Sequence, residues 1–134
     1  MSNSTQASTT ISNIGVAMFT IADQDAAVAY YTQKLGWELR ADIPFGDEGG
    51  NRWVEVAPPG STARLALNPP MGDWAPGGSA IRVETPDLDA EYERVQAIDG
   101  VTTGEMMGGG YGPVPRMFSI EDPDGNHIWV VQSA

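Results

Sequence analysis

The chain has 134 residues, 41% of them hydrophobic, which is enough for one compact core and too few for two conventional domains. Eighteen acidic residues against seven basic give a formal charge of −11, a field that repels phosphate backbones and anionic bilayers, so no nucleic acid and no membrane surface is expected as a partner, whereas a cationic ligand is drawn in. There is no cysteine, which removes disulfides, thiolate catalysis and Cys-based zinc sites and leaves His, carboxylates and aromatics to carry any chemistry.

Residues 1–10 lack the basic and apolar regions of a signal peptide and read as a flexible polar arm, ahead of one domain over 11–134. No stretch approaches the ~20 apolar residues of a membrane span, so a cytoplasmic protein is expected. The first strand-like run is Ile14 to Ile21. A helical pattern follows, in which Asp23 and Asp25 supply the N-cap and first-turn charge, Val28, Tyr31 and Leu35 share one face, and Gly36 closes the end. Three alternating runs come next, over roughly 37–43, 52–57 and 63–68. The Pro- and Gly-rich residues 69–78 form a linker. A second strand-like run, 79–84, opens the other half. Its helix starts at Asp87-Leu88-Asp89-Ala90, places Leu88, Tyr92, Val95 and Ile98 on one face, and ends at Gly100; strands over 101–106, 114–121 and 126–132 complete it. Asp23-Gln24-Asp25-Ala26 and Gly36 thus recur 64 positions on as Asp87-Leu88-Asp89-Ala90 and Gly100. The order β-α-β-β-β occurs twice, in modules of about 12–68 and 79–133, which is an α+β fold of two tandem βαβββ modules.

A four-stranded sheet under one helix buries only one face, so each module must find company for the other. Pairing the sheets edge to edge makes a cradle-like mixed sheet around a central cavity. Alternation selects the inward side chains. Leu65 and Leu67 pack, which turns Arg64, Ala66 and Asn68 inward; Val54 and Val56 pack, leaving Trp53 and Glu55. In the second half Ile81, Val83, Phe118, Ile120, Ile128 and Val130 pack, leaving Ala80, Arg82, Glu84, Met117, Ser119, Glu121, His127, Trp129 and Val131. That mixture of indole, thioether, guanidinium and carboxylate has the composition of a ligand pocket rather than a core. The expected binding residues are Trp53, Glu55, Arg64, Asn68, Arg82, Met117, His127 and Trp129, with Tyr111 and Arg116 closing over a ligand from the Met-lined, Gly-rich segment 105–113. That segment has neither the Gly-x-Gly-x-x-Gly arrangement nor the following Lys-Ser/Thr of a phosphate-cradling loop.

Asp122-Pro123-Asp124-Gly125 is a tight turn, with Pro presetting φ and Gly taking the positive-φ position, and it reads as scaffold without chemistry. His127 has three readings: a metal ligand or general base, a polar wall of the ligand site, or a surface residue beside the hairpin. It is the only histidine, so a metal would need carboxylates around it. Trp53 and Trp129 suit planar or cationic guests and equally well fill the cradle.

Asp25 to Trp37, the run Arg52-Trp53-Val54-Glu55-Val56 and the segment Glu121 to Asn126 resemble the vicinal oxygen chelate superfamily, which includes glyoxalase I, extradiol dioxygenases and bleomycin-resistance proteins. The resemblance covers nearly the whole chain after the polar arm. It implies that metal-dependent relatives carry His, Gln or Glu on the inner face of the first, fourth, fifth and eighth strands. The matching positions here are Val16, Ala66, Ala80 (Gly78 in the neighbouring register) and Trp129. None can coordinate a divalent cation, which needs imidazole or carboxylate groups within ~2 to 2.6 Å of one point. The implied function is therefore a metal-free, bleomycin-resistance-like small-molecule binding protein that sequesters a cationic or aromatic compound, with no cofactor and as a homodimer. The alternative implied is a glyoxalase- or dioxygenase-like lyase, isomerase or oxygenase, using a displaced carboxylate metal site or metal-free acid–base chemistry by Glu55, Glu84, Glu121 or His127. A third reading is an interaction protein with a closed cradle.

Overall fold

The computed structural model describes residues 8–45, 51–109 and 113–133. Residues 1–7 of the expected arm, and Tyr111, lie outside them. The first module runs β1 (Val16–Thr20), α1 (Gln24–Ala29), a π-helical turn (Tyr30–Lys34), β2 (Glu38–Pro44), β3 (Arg52–Ala57) and β4 (Arg64–Asn68). The second runs β5 (Ala80–Thr85), α2 (Leu88–Gln96), β6 (Thr102–Thr103), β7 (Met117–Glu121) and β8 (His127–Gln132). Each builds a four-stranded sheet, β1-β4-β3-β2 and β5-β8-β7-β6. The first strand of each module lies parallel to the last. The repeat in sequence is thus a repeat in topology.

Both helices begin as their sequences require. Asp23 accepts from Ala26 N at 3.0 Å and Asp87 from Ala90 N at 3.1 Å, each carboxylate capping a backbone donor that the first helical turn leaves without a partner. Gly36 and Gly100 then turn the chain at φ of 83° and 87°, where a Cβ would be strained. The copies diverge at the buried residue that follows each cap. Gln24 staples α1 to its sheet, donating to the carbonyls of Arg52 (2.6 Å) and Leu67 (3.0 Å) and accepting from Arg52 N (3.1 Å). Its counterpart Leu88 is apolar and fully buried, and there Gln132 on β8 accepts from Leu88 N at 3.0 Å instead.

The packing faces agree with the alternation: Val54, Val56, Leu65, Leu67, Phe118, Ile120, Ile128 and Val130 are all buried, and one core cluster joins them to Tyr31, Leu35, Leu88 and Val95 from the helical segments. Two expectations are corrected. The sheets do not join edge to edge: among the described residues no ladder connects β1 to β5. The strand expected over 101–106 also shortens to Thr102–Thr103, because Gly104 has no side chain to pack on the sheet and pairing resumes only as a single Met107–Met117 bridge.

Besides the shared core, the 122–126 turn joins the modules through buried polar contacts, which is more than the passive scaffold expected. Asp122 is buried, and its carboxylate accepts four hydrogen bonds: from the backbone N–H groups of Asp124 (2.9 Å) and Asn126 (2.8 Å), the Asn126 amide (3.2 Å) and the Tyr31 hydroxyl of the first module (2.9 Å). The fully buried Asn126 also donates to Thr20 O at 3.1 Å, at the end of β1. Asp124 accepts from Ala22 N at 3.0 Å. Tyr30 and Tyr31 are consecutive and both buried, and the π-helical turn, in which Leu35 N reaches back to Tyr30 O, presents both hydroxyls to the second module. Gly77 packs against the Asp124 carbonyl, where a Cβ would clash. No helix among the described residues is long and apolar enough to cross a membrane.

Asp122→Ala is expected to cost about 3 kcal/mol, since four donors lose a buried acceptor. Asp89→Asn, which loses only an exposed ion pair with Arg116, should leave the urea midpoint nearly unchanged. Burial first, and then the negative charge of Asp122, raises Tyr30 from 10.0 to about 12 and raises Tyr31 as well. The folded chain therefore keeps protons that the unfolded chain releases above pH 10.0, so stability is intact below that pH and declines above it. Urea midpoints measured between pH 9 and 11.5 should fall steeply above about pH 10. Tyrosinate absorbance should rise with the unfolding of these two residues rather than before it.

Candidate functional site

Removing the core-facing positions leaves two sheet faces, each carrying part of the predicted set. On the first, register places Met18, Ala66 and Glu55 in one row across β1, β4 and β3, and Ile43 opposite Trp53 across β2 and β3. The face combines exposed Met18, Ile43 and Trp53 with a carboxylate, Glu55, that is 8% exposed. Neighbours hold that carboxylate in place. The Trp53 indole N–H donates to its Oε2 at 2.8 Å, and Arg64 Nε lies 2.9 Å from its Oε1. The second contact is an ion pair by distance, but the Nε–H is not aimed at the oxygen and this buried donor has no hydrogen-bond acceptor. Three predicted residues, Trp53, Glu55 and Arg64, therefore form one cluster, with Asn68 buried at the end of β4.

On the second face the rows are Arg82–Trp129–Ser119, Ala80–His127–Glu121 and Glu84–Val131–Met117. Arg82 thus flanks Trp129 directly. His127 Nε2 stands 3.8 Å from Glu121 Oε1, outside hydrogen-bond reach for an acid–base pair. Arg116 takes no part in either face: it leans to the helix side and is bound to Asp89 on α2 at 2.7 Å, which holds the Asp89 carboxyl below its ordinary range.

Both faces border a large cavity where the modules meet. A cavity of about 670 Å³ opens at the seam between the modules, with Ala17 and Trp37 on one side, Ile81 and Val83 on the other, and the side chains of Arg64 and Arg82 both lining it. A second, of about 350 Å³, adjoins it and shares Trp37, Pro58, Pro59, Val83 and Glu84. The seam brings together two arginines that strand alternation places on different sheets. Trp37 and the Pro58-Pro59 turn were not among the predicted site residues. Trp37 follows the helix-closing Gly36 and packs on Tyr31, with ring centroids 5.4 Å apart, so only its place directly after a helix end hinted at a role between modules.

The side chains do not fit a divalent metal. Val16, Ala66, Ala80 and Trp129 offer no donor, and among the described residues no three His, Asp or Glu side chains converge.

Residues 13–130 match the family described as the Glyoxalase/Bleomycin resistance protein/Dioxygenase superfamily. The protein YetH of Bacillus subtilis (strain 168) is 30% identical over 118 residues, 87% of this chain and 94% of YetH. Among solved structures, TnmS3, an antibiotic binding protein from Streptomyces sp. CB03234, superposes with a TM-score of 0.78 at 32% identity, over 95% of this chain and 100% of its own. A superfamily member from Sphaerobacter thermophilus gives 0.75 at 30% identity, over 92% and 98%. The bleomycin-binding protein of Streptomyces verticillus, at 22% identity and a TM-score of 0.68 over 92% and 99%, shares the fold.

Elemental analysis of protein purified without added metal should find well under one divalent ion per chain, and a chelator should leave the melting temperature where it was. A stoichiometric metal that the chelator removes with a drop in melting temperature would contradict this assignment.

Proposed function

We propose that this chain, which belongs to the Glyoxalase/Bleomycin resistance protein/Dioxygenase superfamily, is a metal-free small-molecule binding protein that holds an aromatic or cationic compound on its tryptophan-bearing sheet faces. The observation that carries this reading is the pairing of inert side chains at the strand positions of the metal-dependent relatives with an exposed, anchored indole, Trp53, on the same sheet as Ala66. Trp53 is fastened through its indole N–H to Glu55, so one edge of the ring is fixed and its face stays available for stacking. Fixing a ring before binding lowers the ordering cost of stacking a ligand on it. The description of TnmS3 as an antibiotic binding protein, at 32% identity over nearly the whole chain, supports the same class of function. Because the fold hosts unrelated chemistries, binding is a property of these side chains rather than of the fold.

An acid–base lyase or isomerase finds less support. Glu55 is committed to Trp53 and Arg64, and His127 does not reach Glu121. A homodimer suits the binding reading, since Met18, Ile43 and Phe45 are large exposed apolar side chains on or beside the sheet face that carries Trp53, and a second copy would cover them.

Titration with proflavine, a planar cation, should quench tryptophan fluorescence to saturation. Trp129→Ala and Trp53→Ala are each expected to weaken that binding roughly tenfold, the scale of one desolvated cation–π contact. An unsaturable or flat response, or two variants indistinguishable from the parent, would remove the sheet faces as the binding surface.

A further inference from the structure

We infer that the seam between the modules is a second ligand site, selective for an amphipathic organic anion: Arg64 and Arg82 hold the acidic group and the apolar walls hold the body. This goes beyond the sheet-face reading: it rests on the two arginines where they border the seam and on the seam's apolar walls, not on Trp53 or Trp129.

The first observation concerns how the cations are used. Of the seven, Lys34 donates to Asp99 O, Arg40 pairs with Glu38, Arg52 with Asp25 and Asp42, Arg94 with Glu91, and Arg116 with Asp89. Arg82 has neither an ion pair nor a hydrogen bond among the described residues. Arg64 has only Glu55, and its buried Nε–H has no acceptor. In a chain with 18 carboxylates, two guanidiniums that retain unused donors and line the same cavity stand apart from the other cations. A carboxylate or sulfonate there would accept the charge-assisted hydrogen bonds that a planar guanidinium fork is built to make.

The second observation is the shape of the cavity. Its 670 Å³ lies within the roughly 300–1,000 Å³ of small-molecule pockets, and the adjoining 350 Å³ extends it past Trp37 toward Ile120 and Ile128 at the core. A ligand entering acid-last can lay an aromatic or alkyl body along Ala17, Ile81 and Val83. Glu84 lines both cavities, so a second negative group on the body would meet a carboxylate. With a net charge of −11 opposing anions at long range, the site favours a monoanion with a large apolar part over a polyanion.

The test uses a matched pair of probes, 1-anilinonaphthalene-8-sulfonate and N-phenyl-1-naphthylamine, which differ in the sulfonate. The native chain should bind one sulfonate probe saturably and the neutral probe at least about tenfold more weakly, the scale of a lost charged hydrogen bond. Arg82→Gln, at an exposed position, should weaken the sulfonate probe about tenfold or more while leaving the melting temperature and the neutral probe unchanged. Arg64→Gln should act in the same direction, and dodecanoate should displace the probe. Trp129→Ala should have no effect. Equal affinity for the two probes, or an unchanged sulfonate affinity in Arg82→Gln, overturns the inference. So does loss of the sulfonate probe in Trp129→Ala, which would move it to the sheet face and leave the proposed function standing. Loss of proflavine binding with the sulfonate result intact would remove the proposed function and leave this site.

Discussion

The carboxylate of Asp122 is the buried polar centre of the joint between two structurally similar modules that also share one apolar core. Four donors converge on it, and one of them, the Tyr31 hydroxyl, comes from the other module. Because a buried carboxylate is tolerated only when its lone pairs are filled, the turn, the tyrosine and Asn126 have to be in place together. Asn126 carries the link onward to the end of β1, and Asp124 caps the backbone just beyond it. The turn that holds the modules together is also the start of β8. The positions of His127 and Trp129 therefore depend on the same contact as the joint between modules.

The duplication explains the architecture, and the divergence between copies explains what can bind. Caps, glycine closures and strand order repeat, whereas the open faces do not. The first presents an indole locked to a carboxylate; the second presents an indole beside a guanidinium that has no ion pair among the described residues. The polar staple made by Gln24 in one copy and the apolar Leu88 in the other indicate separate solutions to the same packing problem. Since no ladder joins β1 and β5, a seam remains where an edge-to-edge sheet would have been continuous.

Charge acts on two length scales here. The overall excess of acid sets a long-range field that favours cations, and the indoles on the sheet faces suit that guest. Within a few ångströms, what matters is which charges are already paired. Most cations are spent on neighbouring carboxylates at the surface, where such pairs contribute little to stability, and Arg82 is left for a ligand.

Strands, helices, caps and the identity of the packing faces were legible in the chain because each follows from local rules: period-two alternation, Asp before a helix, Gly after it. The docking of the modules was not, because the bond from Tyr31 to Asp122 spans 91 positions and neither residue's local pattern announces the other. The turn 122–126 reads locally as a tight bend, and its burial is a property of the assembled pair. The seam cavity follows from that docking: Leu65, Ile81 and Val83 pack by alternation, yet they line open space where the two modules meet, which side-chain pattern cannot reveal. Local patterning specifies the order of strands and helices and which side chains share a face; how the modules meet emerges only on folding, since long-range contacts are selected by shape and by the pairing of buried polar groups, neither of which leaves a periodic trace.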